Sequence, residues 1–166
     1  MKFMLPLLFA LLAVPGCKGR ESTLTEFQKA QVTEEVLAAM KPLAEAFARV
    51  DIEAALRMCH RSPDFGLVMP EGKALGFEEL RALGKEMAGG LQKQTFTPAR
   101  EKVIVVSPDA ALYCWQGRID LLQKDGAILR SDPYSLTYLI RKVEGRWSFA
   151  YGHESGVPYQ VVKQPG

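Results

Sequence analysis

The chain has 166 residues, of which 48% are hydrophobic and 24% are charged, and its formal net charge is +2. These values are ordinary for one globular domain with its own core. No basic run interleaved with aromatic residues is present, so the sequence gives nucleic-acid binding no support.

The first stretch, Met1–Gly16, has the pattern of a secretory signal. Lys2 supplies a positive charge, and Phe3–Val14 is an apolar run broken only by Pro6. This run is shorter than the roughly 20 residues that a transmembrane helix needs. We therefore expect residues 1–16 to be a targeting signal that is not part of the folded domain.

The segment Val14–Cys17 resembles the bacterial lipobox, in which the cysteine is lipidated, although Pro15 departs from that pattern. A lipid on Cys17 would hold the domain at a membrane without spanning it, facing the periplasm of the bacterial cell envelope. Lys18 rather than Asp follows the cysteine, which favours the outer membrane. The alternative is a secreted protein with a free cysteine. Residues 17–31 are then the lipidated cysteine and a flexible tether.

Three helices are predicted after the tether. Thr33 is the expected N-cap of the first helix, and Pro42 inside the apolar pattern should kink or split it. Asp51 is the expected cap of a short second helix, Ile52–Cys59. The third helix is predicted over Phe77–Met87, before two glycines.

Strands dominate the second half of the chain. Pro98 predicts an edge or a bulge in the first long strand, and Pro133 predicts an irregularity near Asp132. Asp125-Gly126 between two β-rich runs predicts a hairpin with a type I′ turn. Helices before strands indicate the α+β class. The predicted strands are a short hairpin, Phe65–Met69 and Lys73–Leu75, and four long runs, Thr95–Val106, Ala110–Leu122, Ile128–Val143 and Arg146–His153.

Three local patterns are similar to the nuclear-transport-factor-2-like (NTF2-like) superfamily, and more narrowly to its SnoaL-like and DUF4440-type domains. They are Phe47–Leu56 between the first two helices, Gly76–Arg81 at the start of the third helix, and Leu139–Trp147 at the last hairpin. The resemblance implies a cone in which a curved, mostly antiparallel sheet wraps about three N-terminal helices and leaves a cavity. It also implies a homodimer. We place this domain at residues 32–158, with residues 159–166 as a C-terminal tail.

The resemblance argues against one chemistry. Steroid-isomerase-like relatives carry an essential carboxylate near Val68–Met69 and a tyrosine near Leu43–Ala44, and this sequence is apolar at both places. Their acid–base pair is therefore absent.

His153 is the candidate catalytic residue. Alternation along the last strand places it on one face with Trp147, Phe149 and Tyr151, and an imidazole is a common general base near neutral pH. The alternative is a histidine that bonds backbone and solvent. Further candidates for a ligand-binding wall, which equally suit an ordinary core, are Tyr113, Trp115, Tyr134, Tyr138 and Tyr151.

Other kinds of site have less support. Cys59 and Cys114 are an even pair that could form a disulfide, but two buried thiols are the favoured interpretation. The sequence contains two histidines and no cluster with metal-ligand spacing, so neither a metal nor a cofactor is predicted.

Three functions remain open. The first is a lipid-anchored module that binds a small apolar or mixed ligand. The second is a structural homodimerisation domain with a filled cone. The third is a small lyase, isomerase or hydrolase that uses His153 in the cavity.

Overall fold

A layer of helices packs against one seven-stranded sheet in the computed structural model, which describes residues 24–162. The helices are α1 (Glu26–Ala48), α2 (Ile52–Leu56) and α3 (Phe77–Gly90). The strands are β1 (Gly66–Val68), β2 (Ala74–Leu75), β3 (Leu91–Ser107), β4 (Ala110–Gln123), β5 (Ile128–Val143), β6 (Arg146–Gly156) and β7 (Gln160–Val162). The predicted signal and Cys17 lie outside the described residues. The α+β class is confirmed.

The sheet has the order β2-β1-β6-β5-β4-β3, and it is curved and unclosed. Every pairing is antiparallel except that of β1 with β6. β7 lies in the segment assigned to a tail and pairs with the first residues of β5, where β6 has already ended. Among residues 24–162, no helix is both long and apolar enough to cross a membrane.

The first helix begins earlier than predicted. Its N-cap is Thr25, whose hydroxyl accepts a hydrogen bond from the Gln28 backbone N–H at 3.2 Å, while the Gln28 side chain accepts from the Thr25 N–H at 2.9 Å. Thr33 lies within the helix and donates to the Lys29 carbonyl. The prediction was wrong because the Thr25–Gln28 capping box is the better start signal.

Pro42 does not split α1, contrary to one of the two expected outcomes. The helix buries Met40, Leu43 and Ala46 against the rest of the domain on both sides of the proline. Tertiary packing of this face outweighs the local penalty of the proline. Asp51 does cap α2, because its Oδ1 accepts from the Ala54 N–H at 2.9 Å, as predicted.

The two hairpin turns differ from each other. At the first, Gly126 has a φ of +89° while Asp125 does not adopt positive φ, so the expected type I′ turn is wrong there. At the second, Glu144 and Gly145 have φ values of +51° and +78°, which fits a type I′ turn.

Both proline signals in the strands are confirmed. β3 is an edge strand, and its register shifts between Pro98 and Arg100. Opposite Pro133, Arg118 has no partner in the β4–β5 ladder. The concave face of the sheet and α1 bury the core, whose largest members on the sheet are Tyr113, Trp115, Tyr134, Tyr138, Ile140, Trp147 and Phe149.

Candidate functional site

A cavity of about 400 Å³ lies between the concave face of the sheet and the helices. Helices α1 and α3 contribute aliphatic side chains, and β3, β4 and β5 contribute most of the aromatic ones. The filled cone of the second hypothesis is therefore wrong. Aromatic residues that line the cavity are Phe47, Phe96, Tyr113, Trp115, Tyr134, Tyr138 and Tyr159.

A carboxyl group stands on the wall of this cavity between two tyrosines. Glu154 of β6 lies opposite Leu136 of β5, so its side chain falls between those of Tyr134 and Tyr138. The Tyr138 hydroxyl donates to Oε1 of Glu154, and the Tyr134 hydroxyl donates to Oε2. Both carboxyl oxygens therefore have a phenol partner. We call Glu154, Tyr134 and Tyr138 the carboxyl–phenol cluster.

Two glycines make this arrangement sterically feasible. A Cβ at Gly152 would lie 2.6 Å from the Tyr138 ring, and one at Gly156 would lie 2.5 Å from the Tyr134 ring. The Tyr138 ring therefore packs against the β6 backbone at Gly152, and the Tyr134 ring packs against it at Gly156. In the sequence Gly152-His153-Glu154-Ser155-Gly156, the two glycines leave room for the tyrosine rings, and both hydroxyls reach Glu154 between them.

A β-bulge determines which residues of β6 face the cavity. Leu139 pairs with Tyr151 while the next residue of β5, Ile140, pairs with Phe149, so Ala150 is an extra residue. The predicted alternation holds as far as Phe149 and fails beyond it, because one extra residue turns all later side chains to the opposite face.

The bulge places His153 and Tyr151 outside the cavity. His153 is exposed, and Tyr151 is 45% exposed with its ring over Gly66 on the outer face. The expected position of His153 in the cavity is therefore wrong. The four other predicted wall residues do line the cavity: Tyr113, Trp115, Tyr134 and Tyr138. The Tyr113 hydroxyl points to Glu101 and donates to it at 2.5 Å.

Burial dominates the electrostatics of the cluster. It raises the pKa of the Glu154 carboxyl, and the two phenol donors only partly oppose this effect. Burial and the nearby Glu154 charge raise the pKa values of Tyr134 and Tyr138. The same causes, with burial first, raise the pKa of Tyr159 to about 12. The phenols therefore stay protonated and act as donors at neutral pH.

The raised pKa predicts how Glu154 affects stability. The folded state holds the Glu154 proton more tightly than the unfolded state, so the stabilisation is complete below the ordinary carboxyl pKa of 4.5 and is lost as pH rises above it. We expect the melting temperature of the wild type, minus that of Glu154→Gln, to fall steadily when both are measured by circular dichroism upward from pH 4.5. A difference that stays flat or rises would contradict this assignment.

The thiols do not form a disulfide. Cys59 is buried beside Phe149, whereas Cys114 points to the outer face between the inward-facing Tyr113 and Trp115. Burial raises the pKa of the Cys59 thiol to about 12, so it stays protonated. Within the described part of the chain, no group of three potential metal ligands occurs.

The positions that relatives use for acid–base chemistry are apolar and line the cavity here: Leu43, Ala44 and Met69. The polar group comes instead from Glu154, which regular alternation along the last strand would place on the outer face. The signal that would have found it is the pair of glycines that flank it at a spacing of two, since glycine within a strand often marks the close approach of another group.

Comparisons with known proteins agree with this fold. Three structures illustrate the similarity. An NTF2-like superfamily protein from Salmonella enterica is 17% identical, with 83% of this chain and 99% of that chain covered and a TM-score of 0.68. A ketosteroid isomerase-like protein from Erwinia carotovora is 22% identical, with 75% and 95% covered and a TM-score of 0.63.

The third structure is the association domain of C. elegans CaMKII, at 22% identity, with 79% of this chain and 99% of that chain covered and a TM-score of 0.62. At these identities the likeness shows the fold alone. No curated protein matches the sequence. The family model described as "SnoaL-like domain" matches residues 36–160, and the chain therefore belongs to the SnoaL-like family of the NTF2-like fold.

Proposed function

We propose that this domain binds a small apolar molecule with one polar group in its cavity. The observation that carries the proposal is the open volume of about 400 Å³ with a carboxyl–phenol cluster on an otherwise apolar wall. Ligand sites are typically clefts of about 300–1,000 Å³ with apolar walls and few convergent polar groups. The aromatic lining would bury the apolar part, and the cluster would orient the polar group.

A blocking variant tests this proposal. Ala44 on α1 is exposed and also lines the cavity, so it lies at the opening. We expect 2-naphthylmethanol, a neutral bicyclic probe, to bind the wild type in calorimetry with a Kd of roughly 10–100 μM. Ala44→Trp should weaken this binding at least about tenfold, because the indole would occupy the entrance.

The matched control is Ala38→Trp, which places the same side chain at an exposed position of the same helix away from the cavity. It should bind the probe like the wild type. Equal binding by Ala44→Trp, or no binding by the wild type, would contradict the proposal.

We propose further that the domain is anchored in the bacterial cell envelope through a lipid on Cys17, facing the periplasm and favouring the outer membrane. The support is the signal-like pattern of Met1–Gly16 and the small residue before the cysteine. Seven residues lead from Cys17 to Leu24, so this stretch spans at most about 25 Å. The domain would therefore stay close to the membrane surface.

Metabolic labelling with an alkyne fatty acid in a bacterial host tests the anchor. We expect the full-length chain to take up the label and to fractionate with membranes, and Cys17→Ser to lose the label. Cys114→Ser removes a thiol of the folded domain and should keep it. A labelled Cys17→Ser variant, or an unlabelled wild type, would show that Cys17 is not the site.

We also propose that two copies pair through the outer face of the sheet, as the resemblance implies. The support is a row of apolar side chains in register across this face, in which Ile104 is 41% exposed and Tyr151 is 45% exposed. Leu112 and Leu139 complete the row. Sedimentation of the domain as a monomer at about 100 μM, well above the Kd of a stable dimer, would contradict the pairing.

A further inference from the structure

Over the part of the chain that the structure describes, the cavity wall carries acidic side chains and no basic ones. Among the residues that line it, two are ionisable acids, Glu71 and Glu154, and none is Lys, Arg or His. Within residues 24–162, no basic side chain forms an ion pair with Glu154. Its partners are the two neutral phenols. The wall thus carries a carboxyl group without a counter-ion, which is uncommon because an isolated buried charge is unfavourable.

The rings around Glu154 suit a positive charge. The faces of tyrosine and tryptophan rings attract cations, and the attraction grows when water is excluded. Tyr134 and Tyr138 flank the carboxyl, and the Tyr159 ring lies 6.5 Å from that of Tyr134. Trp115 lines the same wall. An anionic ligand would meet no basic partner here, since the neutral amide of Gln94 is the other buried polar side chain on the wall.

The carboxyl also has room for further donors. An ionised carboxylate offers about four acceptor positions, and the two phenols use one on each oxygen. The remaining positions match the N–H groups of an ammonium ion. Glu71, exposed on the turn after β1, also lines the cavity and adds negative potential near the entrance.

We propose that the ligand is a hydrophobic amine, bound as its cation with the ammonium group on Glu154 and the apolar part against the aromatic rings. This inference rests on the proposed ligand-binding function and adds the charge of the ligand. The cation would supply the counter-ion that the wall lacks. It also fits the direction of the Glu154 pKa, because a neighbouring positive charge would offset the penalty that burial places on the ionised form.

Three probes that share one ring system test which ligand charge the cavity prefers. They are 2-naphthylmethylamine, which is protonated near neutral pH, 2-naphthylmethanol, which is neutral, and 2-naphthoate, which is anionic. We expect the wild type to bind the amine at least about tenfold more tightly than the alcohol, and the carboxylate most weakly. The whole chain carries a formal charge of +2, so its overall field would favour the opposite order.

Glu154→Gln keeps the shape of the side chain and removes its charge. It should lose the preference for the amine, so that the amine and the alcohol bind the variant with Kd values within about threefold of each other, while an unchanged circular dichroism spectrum shows that the fold is retained. The matched control is Glu144→Gln, the same charge change at an exposed turn ten residues away, roughly 30 Å along the strand. This variant should keep the preference.

The outcomes separate the two proposals. If the alcohol binds the wild type and the amine binds no more tightly, the cationic ligand is wrong and the binding cavity stands. If the preference survives in Glu154→Gln, the assignment of the ammonium group to Glu154 is wrong. If none of the three probes binds, both proposals fail.

Discussion

Replacing Phe149 with alanine is expected to lower the free energy of unfolding by about 4 kcal/mol, within the usual range for a large buried ring. Phe149 is 3% exposed, its ring lies 5.3 Å from that of Phe65, and it packs on the Tyr138 ring with centroids 4.3 Å apart. Its backbone also joins β6 to the segment that follows α2, through hydrogen bonds with Met58 and His60. Urea unfolding followed by circular dichroism measures the loss.

Phe27→Ala is the matched control, because Phe27 is 79% exposed near the start of α1. It should change the free energy of unfolding by less than about 0.5 kcal/mol. A loss below about 1 kcal/mol for Phe149→Ala would mean that the site collapses easily and that Phe149 does not support the cluster. Since Tyr138 rests on this ring, the preference for an amine should also weaken in the variant.

The second large effect is expected at Gly117 on β4. A Cβ there would lie 2.1 Å from the Thr97 carbonyl oxygen and 2.8 Å from the Trp115 ring, so the backbone of β3 would have to move. We expect Gly117→Ala to lower the free energy of unfolding by about 3 kcal/mol. The same urea titration measures it.

Gly89→Ala makes the same chemical change within α3, where nothing lies within 4 Å of the new Cβ. Alanine is the better helix former by about 1 kcal/mol, so this variant should be as stable as the wild type or more so. If both variants behaved alike, the close approach of β3 and β4 at Gly117 would be disproved.

Local sequence patterns predicted most of the helices and strands, because capping, turn and strand preferences depend on residues that are close in sequence. The Asp51 cap, the edge position indicated by Pro98 and the ends of β5 all follow from short-range chemistry. The sequence predictions were wrong where tertiary contacts determine whether a helix or strand forms. Pro42 stays inside α1 because packing on both sides holds the helix together, and β7 forms only because β5 offers it a free partner.

The site was harder to predict for a related reason. Tyr113, Trp115 and Tyr138 lie on β4 and β5, where alternation continues through the relevant stretch. On β6 the extra residue Ala150 breaks the alternation. The residues around it, Phe149-Ala150-Tyr151, include no glycine or proline that would indicate a bulge. A period-two argument therefore selected His153 and passed over Glu154.

The same extra residue has an evolutionary consequence. If β6 kept its length but lost the bulge, so that Ala150 paired like its neighbours, every later residue would move by one position and His153 would turn inward in place of Glu154. The presence of one β-bulge thus separates a carboxyl-bearing cavity from an imidazole-bearing one, without a change in either side chain. A lineage with this sheet could exchange the polar group of its cavity by gaining or losing the bulge, without substituting a residue of the cavity wall.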